Sequence, residues 1–257
     1  MKILLTNDDG VYAPGLQALR KELQQLGEVV VCAPATEQSA AGHSVTLLWP
    51  LIVQEVKDDQ GQPIGWAVEG RPADCMKLAL CELLKEPPDL VVSGMNAGSN
   101  AGINVLYSGT VAAAVEAAFF RHTAIAVSQA YLDPKKVDFP QGAKYARQVV
   151  EQIIALKPEQ GSLFNVNIPP PELGPPKGIQ VTPQNYAPYQ ESFVRNVDPR
   201  GRLYYWLGAD YACAEPHPGT DEAALKEAYI TVTPLHFDLT NYQRLRDLAS
   251  HTWETPQ

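Results

Sequence analysis

No run in this chain approaches the ~20 consecutive apolar residues of a membrane-crossing helix, and no charged-then-apolar leader precedes the first strand candidate. Neither a span nor secretion is expected, and a cytoplasmic location is. Positive charge is scarce. Lys and Arg number 20 against 29 Asp and Glu, a formal net charge of -9, which opposes broad binding to a nucleic-acid polymer. A small anion held by a metal ion and backbone amides is compatible with that charge. Cysteine is sparse as well. Cys32, Cys75, Cys81 and Cys213 contain no CxxC pair and read as reduced thiols, with Cys75 and Cys81 in the core of one helix candidate. The five histidines show no HExxH spacing, so a structural zinc is not expected. GxxxxGK[ST] and GxSxG are absent, and the glycines of loop 94–102 are spaced by four rather than as GxGxxG. An ordinary nucleoside-triphosphate loop, a serine esterase and a dinucleotide fingerprint are thereby disfavoured.

What is present begins at the amino terminus. Lys2-Ile3-Leu4-Leu5-Thr6 is apolar without alternation, the pattern of a parallel strand buried on both faces. Asn7-Asp8-Asp9-Gly10 follows at once, at the strand end where ligands of open α/β sheets bind. Two adjacent carboxylates repel unless a cation lies between them, so a hard divalent ion suits Asp8 and Asp9. The other reading is a solvated turn in which an Asp caps the next helix. Leu16, Leu19, Leu23 and Leu26 then recur at helical spacing, and Glu28–Cys32 is a second apolar strand, which completes a βαβ unit.

The alternation continues. A hairpin turning at Asp58-Asp59-Gln60-Gly61, a helix opened by Pro72, a strand 89–93 and the loop Gly94–Gly102 come first. An Ala-rich helix after Ser108-Gly109-Thr110, a strand 123–128, a helix 138–156 and a strand 163–168 come next. Beyond Pro169 the rhythm stops. Prolines cluster, aromatics gather between Tyr186 and Tyr211, and 193–206 reads as a long hairpin turning at Asp198-Pro199-Arg200-Gly201. Such a hairpin serves as an oligomer contact or folds back on its own domain. A helix candidate at 221–227, a strand at 229–233 and a last helix with Leu239, Tyr242, Leu245 and Leu248 end the chain. The chain reads as one domain over 1–257, with an α/β core over 1–168 and an extension over 169–257.

Three loops at strand ends, 7–10, 34–43 and 94–102, are expected to converge, bringing Asp8, Asp9, Ser39 and Asn96 together. All four offer oxygen, which favours magnesium or manganese over zinc. Ser108-Gly109-Thr110 stands at a helix start, where free N–H groups and the positive dipole end favour a phosphate, although either hydroxyl could merely cap the helix. A cation site beside an anion-ready helix start describes a phosphate-ester site.

The strings Leu5–Gly10, Ala33-Pro34 with Gln38-Ser39 and Gly42-His43-Ser44, Gly70–Cys75, Ser93–Asn96 with Gly98, and Tyr107–Val111 together resemble the SurE family of survival-protein nucleotidases. Weaker matches run through Phe164–Pro169 and Ile230–Leu235. The resemblance implies a Rossmann-like three-layer, parallel-rich sheet with a C-terminal hairpin extension exchanged between subunits of a homodimer or homotetramer. It implies metal-dependent hydrolysis of nucleoside 5′- and 3′-monophosphates, with short polyphosphate as a further substrate. It makes Asp8, Asp9, Ser39 and Asn96 the ligands of one Mg2+ or Mn2+ ion per subunit and places Ser108, Gly109 and Thr110 near the phosphate. In the mechanism expected from these residues, Asp8 or Asp9 also has a catalytic role, as general base or as a phosphorylated nucleophile. Arg71 and Ala97 depart from the family's usual residues, Arg71 reading as a surface variation rather than a phosphate clamp. The rival readings are a sensor that binds nucleotide or polyphosphate without turnover, and a metal-dependent glycosyl- or nucleotidyl-transferase.

Overall fold

The computed structural model describes residues 1–58, 60–188, 192–208 and 215–253. Asp59 of the first expected turn, Tyr211 at the end of the aromatic stretch, and Cys213 lie outside the described residues. The chain runs β1 (Lys2–Thr6), α1 (Pro14–Leu23), β2 (Glu28–Pro34), β3 (Val53–Lys57), β4 (Pro63–Val68), α2 (Pro72–Leu78), β5 (Leu90–Ala97), α3 (Gly109–Phe119), β6 (Ala124–Gln129), α4 (Phe139–Ala155) and β7 (Leu163–Ile168). There follow β8 (Ile179–Val181), β9 (Phe193–Val197), β10 (Leu203–Leu207), α5 (Asp221–Lys226), β11 (Ile230–Leu235) and α6 (Tyr242–Ala249).

Nine strands form one sheet in the order β3-β4-β2-β1-β5-β6-β7-β11-β8. The stretch from β4 to β7 is parallel throughout, and β3 and β11 add antiparallel neighbours on either side. The unbroken apolar run of β1 has its cause here, because β1 lies between β2 and β5 with helices over both faces. Ile3 and Leu5 join Leu16, Leu19, Ala146 and Val150 in a core under α1 and α4, whereas Leu4 joins Met76, Val111, Ala114 and Ala117 in a core under α2 and α3. Alternate residues of one strand thus serve opposite layers. The alanines of α3 let that helix settle close on the sheet, and nine of its eleven residues are buried.

Several boundaries differ from expectation for local reasons. Strand β5 runs on to Ala97, its pairing with β6 shifting register between Ser93 and Asn96. The helix after Pro72 ends in a π-type turn, Ala79–Leu83, which leaves Cys81 exposed rather than in the core, while Cys75 is fully buried. The three-residue edge strand β8 was not foreseen, being too short to show a period. Beyond residue 168 the chain returns two strands, β8 and β11, to the sheet and sends out the separate hairpin β9–β10.

Helix α1 approaches β5 through Gly15, where an added Cβ would lie 2.1 Å from the Met95 carbonyl oxygen. Gly15→Ala is expected to cost about 1–3 kcal/mol by overpacking, seen in a thermal melt as a fall in Tm of roughly 3–10 °C.

Candidate active site

The carboxyl ends of β1, β2 and β5 are neighbours in the sheet, so the loops that follow them share one rim. In the first, Asn7 is wholly buried and closes the turn upon itself. Its Nδ2 donates to the Gly10 carbonyl at 2.9 Å, and its Oδ1 accepts from Gly10 N at 3.2 Å. Gly10 has φ +103°, a conformation that favours glycine. This turn presents Asp8 and Asp9.

Asp8 is 4% exposed. The Thr110 hydroxyl donates to its Oδ1, and the amides of Gly109 and Thr110 at the start of α3 also serve its carboxylate. Gly109 is required by closeness, since a Cβ there would meet Asp8 Cβ at 2.8 Å. Burial nevertheless outweighs these bonds and raises the Asp8 pKa above its ordinary value. Asp9, half-buried, is pushed up to about 6 by burial first and then by the charge of Asp8, with the Ala97 amide offsetting part of the rise. Among the described residues no Lys or Arg pairs with either aspartate.

The second loop is irregular and held by its contacts. Gln38 N donates to the Asp8 carbonyl at 2.8 Å, and Gly42 N to the Tyr107 carbonyl at 3.0 Å. His43 Nε2 lies 2.7 Å from Glu116 Oε1 on α3, and Lys77 Nζ lies 2.9 Å from Glu116 Oε2. Burial raises the pKa of Glu116, but His43 and Lys77 together more than cancel that and hold it below the usual value. Thr46 bonds the buried Asp74 through both its amide and its hydroxyl. Between these anchors Ser39 is exposed, its hydroxyl donating to Glu37 Oε1 at 2.6 Å. Arg71 Nη1 donates to Gln38 Oε1, so the residue that departs from the family pattern braces this loop.

The third loop carries Asn96, whose Nδ2 donates to the Gly98 carbonyl at 2.8 Å, leaving Oδ1 as its oxygen toward a cation. Asn100 pins the loop through a buried network. Its amide N donates to Asn167 Oδ1, its carbonyl accepts from Asn165 Nδ2, and its Nδ2 donates to Ser128 Oγ, each at 2.8 Å. At the start of α3 the Ser108 Oγ accepts from Val111 N at 3.1 Å, a helix cap that leaves its hydroxyl proton available.

Asp8, Ser39, Asn96 and Ser108 line one cleft of 730 Å³. Gly109 and Thr110 stand behind Asp8, and Thr110 is wholly buried. Sequence reasoning passed over Asn165 and Asn167, two polar residues spaced by two in an apolar strand, and over Asp221, whose buried carboxylate accepts from Gly102 N and Asn185 N. The β7 spacing was a visible signal, because polar residues on the inner face of a buried strand need partners. The donor set fits a hard cation. It offers two close carboxylates lacking a protein counter-charge, an amide oxygen and a hydroxyl, and no cluster of three or more His, Cys, Asp or Glu occurs among the described residues.

A family profile described as "Survival protein SurE" matches residues 3–191. A protein of Rhodopirellula baltica named 5'-nucleotidase SurE is 50% identical over 249 residues, covering 96% of this chain and 97% of its own. One of Pelotomaculum thermopropionicum with the same name is 45% identical over 249 residues, covering 96% and 94%. The crystal structure of the SurE protein from Aquifex aeolicus superposes with a TM-score of 0.82 at 37% identity, covering 96% of this chain and 98% of that one.

The raised pKa of Asp9 means that its ionised form disfavours the metal-free fold. That penalty is absent well below the unfolded value of 3.8, grows as pH rises past it, and is complete above about 6. In chelator, Asp9→Asn should therefore melt above the parent protein at pH 7, with the difference shrinking as pH falls and vanishing at about pH 3. An equal gap at both values would show that the charge is not the cause.

Proposed function

The chain belongs to the Survival protein SurE family, and from that premise we propose that it is a metal-dependent phosphohydrolase that releases phosphate from nucleoside 5′-monophosphates, and from 3′-monophosphates as well. The observation that carries the reading is Asp8 on the wall of a nucleotide-sized cleft, with Asp9 next to it in the chain but not among the residues lining that cleft, and no Lys or Arg among the described residues paired with either. The names of the relatives give the activity class.

Asp8, Asp9, Ser39 and Asn96 would hold one Mg2+ or Mn2+ ion per subunit. When bound, that ion supplies Lewis-acid polarisation of phosphate and a lowered pKa for the attacking water. The protein's own groups supply the rest. Thr110 and the first amides of α3 fix Asp8, so Asp8 serves to position rather than to exchange protons. What supports Asp9 as the proton acceptor is its fewer hydrogen bonds and its partial exposure. Of the Ser108-Gly109-Thr110 turn, Ser108 is the member on the cleft wall, and its hydroxyl proton is the natural donor to a phosphate oxygen.

The β9–β10 hairpin favours a homo-oligomer, a dimer or a tetramer. Phe193, Leu203, Tyr205 and Trp206 are all exposed on it, between 47% and 67%, as is the apolar side of α6 with Leu245 and Leu248. No helix among the described residues is long and apolar enough to cross a membrane.

Phosphate release from 5′- and 3′-nucleoside monophosphates should require Mn2+ or Mg2+ and cease in chelator. Asp9→Asn should lower turnover by about 10²-fold or more while the circular dichroism spectrum is kept. Release that persists in chelator would remove the metal assignment. In light scattering at micromolar concentration, Tyr205→Glu with Trp206→Glu should shift the mass from an oligomer to a monomer, and an unchanged mass would exclude the hairpin as the contact.

A further inference from the structure

The sheet has a second opening, at the end away from the rim that carries Asp8. Strand β4 pairs with β2 only from Gly65 and Val31 onward, so the starts of the two strands stand apart. Gly65 sets the parting, with φ +141° and so close to β2 that an added Cβ would lie 1.8 Å from the Val31 carbonyl oxygen. Between these strand starts and the last turn of α1 lies a cavity of 480 Å³, large enough for a small molecule. Val29, Ile64 and the half-buried Trp66 give it an apolar lining.

Three charged side chains line this cavity, Arg20 from α1, Glu28 at the start of β2 and Glu55 on β3. Arg20 is half-buried and joins no ion pair among the described residues, and its Nε, shielded from solvent, has no hydrogen-bond partner among them. A buried donor without an acceptor forfeits its hydration, so this guanidinium is left wanting a partner. Its planar fork matches a carboxylate. Glu28 and Glu55 are exposed and are not paired with a cation among the described residues either. A ligand that is only an anion would meet two glutamates, and one that is only a cation would meet Arg20. A zwitterion answers both signs, and an apolar body on it answers Trp66 and Ile64.

We propose that this cavity binds an α-amino acid with an aromatic or large apolar side chain, its carboxylate on Arg20, its ammonium toward Glu28 and Glu55, and its side chain against Trp66. The ammonium also suits the carboxyl end of α1, which borders the cavity at Gln24 and carries the negative end of the helix dipole. No residue that lines the Asp8 cleft lines this cavity, so the two sites are filled independently.

Isothermal titration calorimetry on the full chain tests this with L-phenylalanine, with phenylacetate, which lacks the ammonium, and with phenethylamine, which lacks the carboxylate. L-Phenylalanine should bind with a Kd of about 1 mM or tighter, and each half-ligand about tenfold more weakly. Arg20→Gln should weaken L-phenylalanine about tenfold, the loss of one charge-assisted fork. Glu55→Gln, a change at an exposed position of the edge strand β3, should weaken L-phenylalanine and strengthen phenylacetate, narrowing the gap between them by about threefold. Asp9→Asn should hold the L-phenylalanine affinity within about twofold of the parent. The site is overturned by the absence of saturable heat from L-phenylalanine up to about 10 mM, or by equal affinity in the parent and Arg20→Gln. Binding lost in Asp9→Asn overturns it as well, since the amino acid would then occupy the Asp8 cleft.

Discussion

Two carboxylates, one nearly buried and one half-buried, stand side by side at the end of the central strand without a protein cation between them. Much of the surrounding structure answers that repulsion. The first amides of α3 and the Thr110 hydroxyl are turned on Asp8, and the approach that allows this is possible only because residue 109 has no side chain. These bonds fix the carboxylate but do not cancel the cost of burying it, since the Asp8 pKa stays raised. The divalent ion proposed above would complete the balance.

The same helix joins the two flanks of the site. Its start secures Asp8, and Glu116, two turns further along its length, secures the loop of Ser39 through His43. Glu116 is a buried acid in an otherwise apolar helix and is stabilised there by Lys77 as well. On the far side the polar residues of β6 and β7 hold the loop of Asn96 by way of Asn100. The loops that carry Asp8, Ser39 and Asn96 are thus each tied to the elements behind them, as precise positioning of an irregular loop demands.

Much of this was legible in the chain. Unalternating apolar runs at 3–5, 29–32 and 90–92 read as doubly covered parallel strands, and the structure buries Ile3, Leu4, Leu5, Val91 and Val92 completely. The convergence of three loops on one rim followed from strand order, and Asp8, Ser39 and Asn96 do share a cleft. Other features could not be read. Strand β8 is three residues long and exists only because β11 offers it an edge. Cys81 looked like core because a regular helix would bury it, and the π-type turn rotates it outward. The braces Asp221, Asn165 and Asn167 are ordinary polar residues in sequence, and their meaning lies in partners 36 to 119 positions away.

By itself the sequence determined the layered parallel sheet, through residue patterns that act over a few positions, and it determined the chemical type of the oxygen groups proposed as cation donors. The tertiary structure alone decided which hydroxyls and amides were already committed, assigning Thr110 to Asp8 and the Ser108 oxygen to a helix cap. It alone decided, too, that a segment from the C-terminal third would face the turn after β5 and form one wall of the cleft beside Asp8. The division has a physical cause. Periodicity and donor type are local properties of the chain, whereas hydrogen-bond satisfaction and cavity shape depend on which distant segments burial forces together.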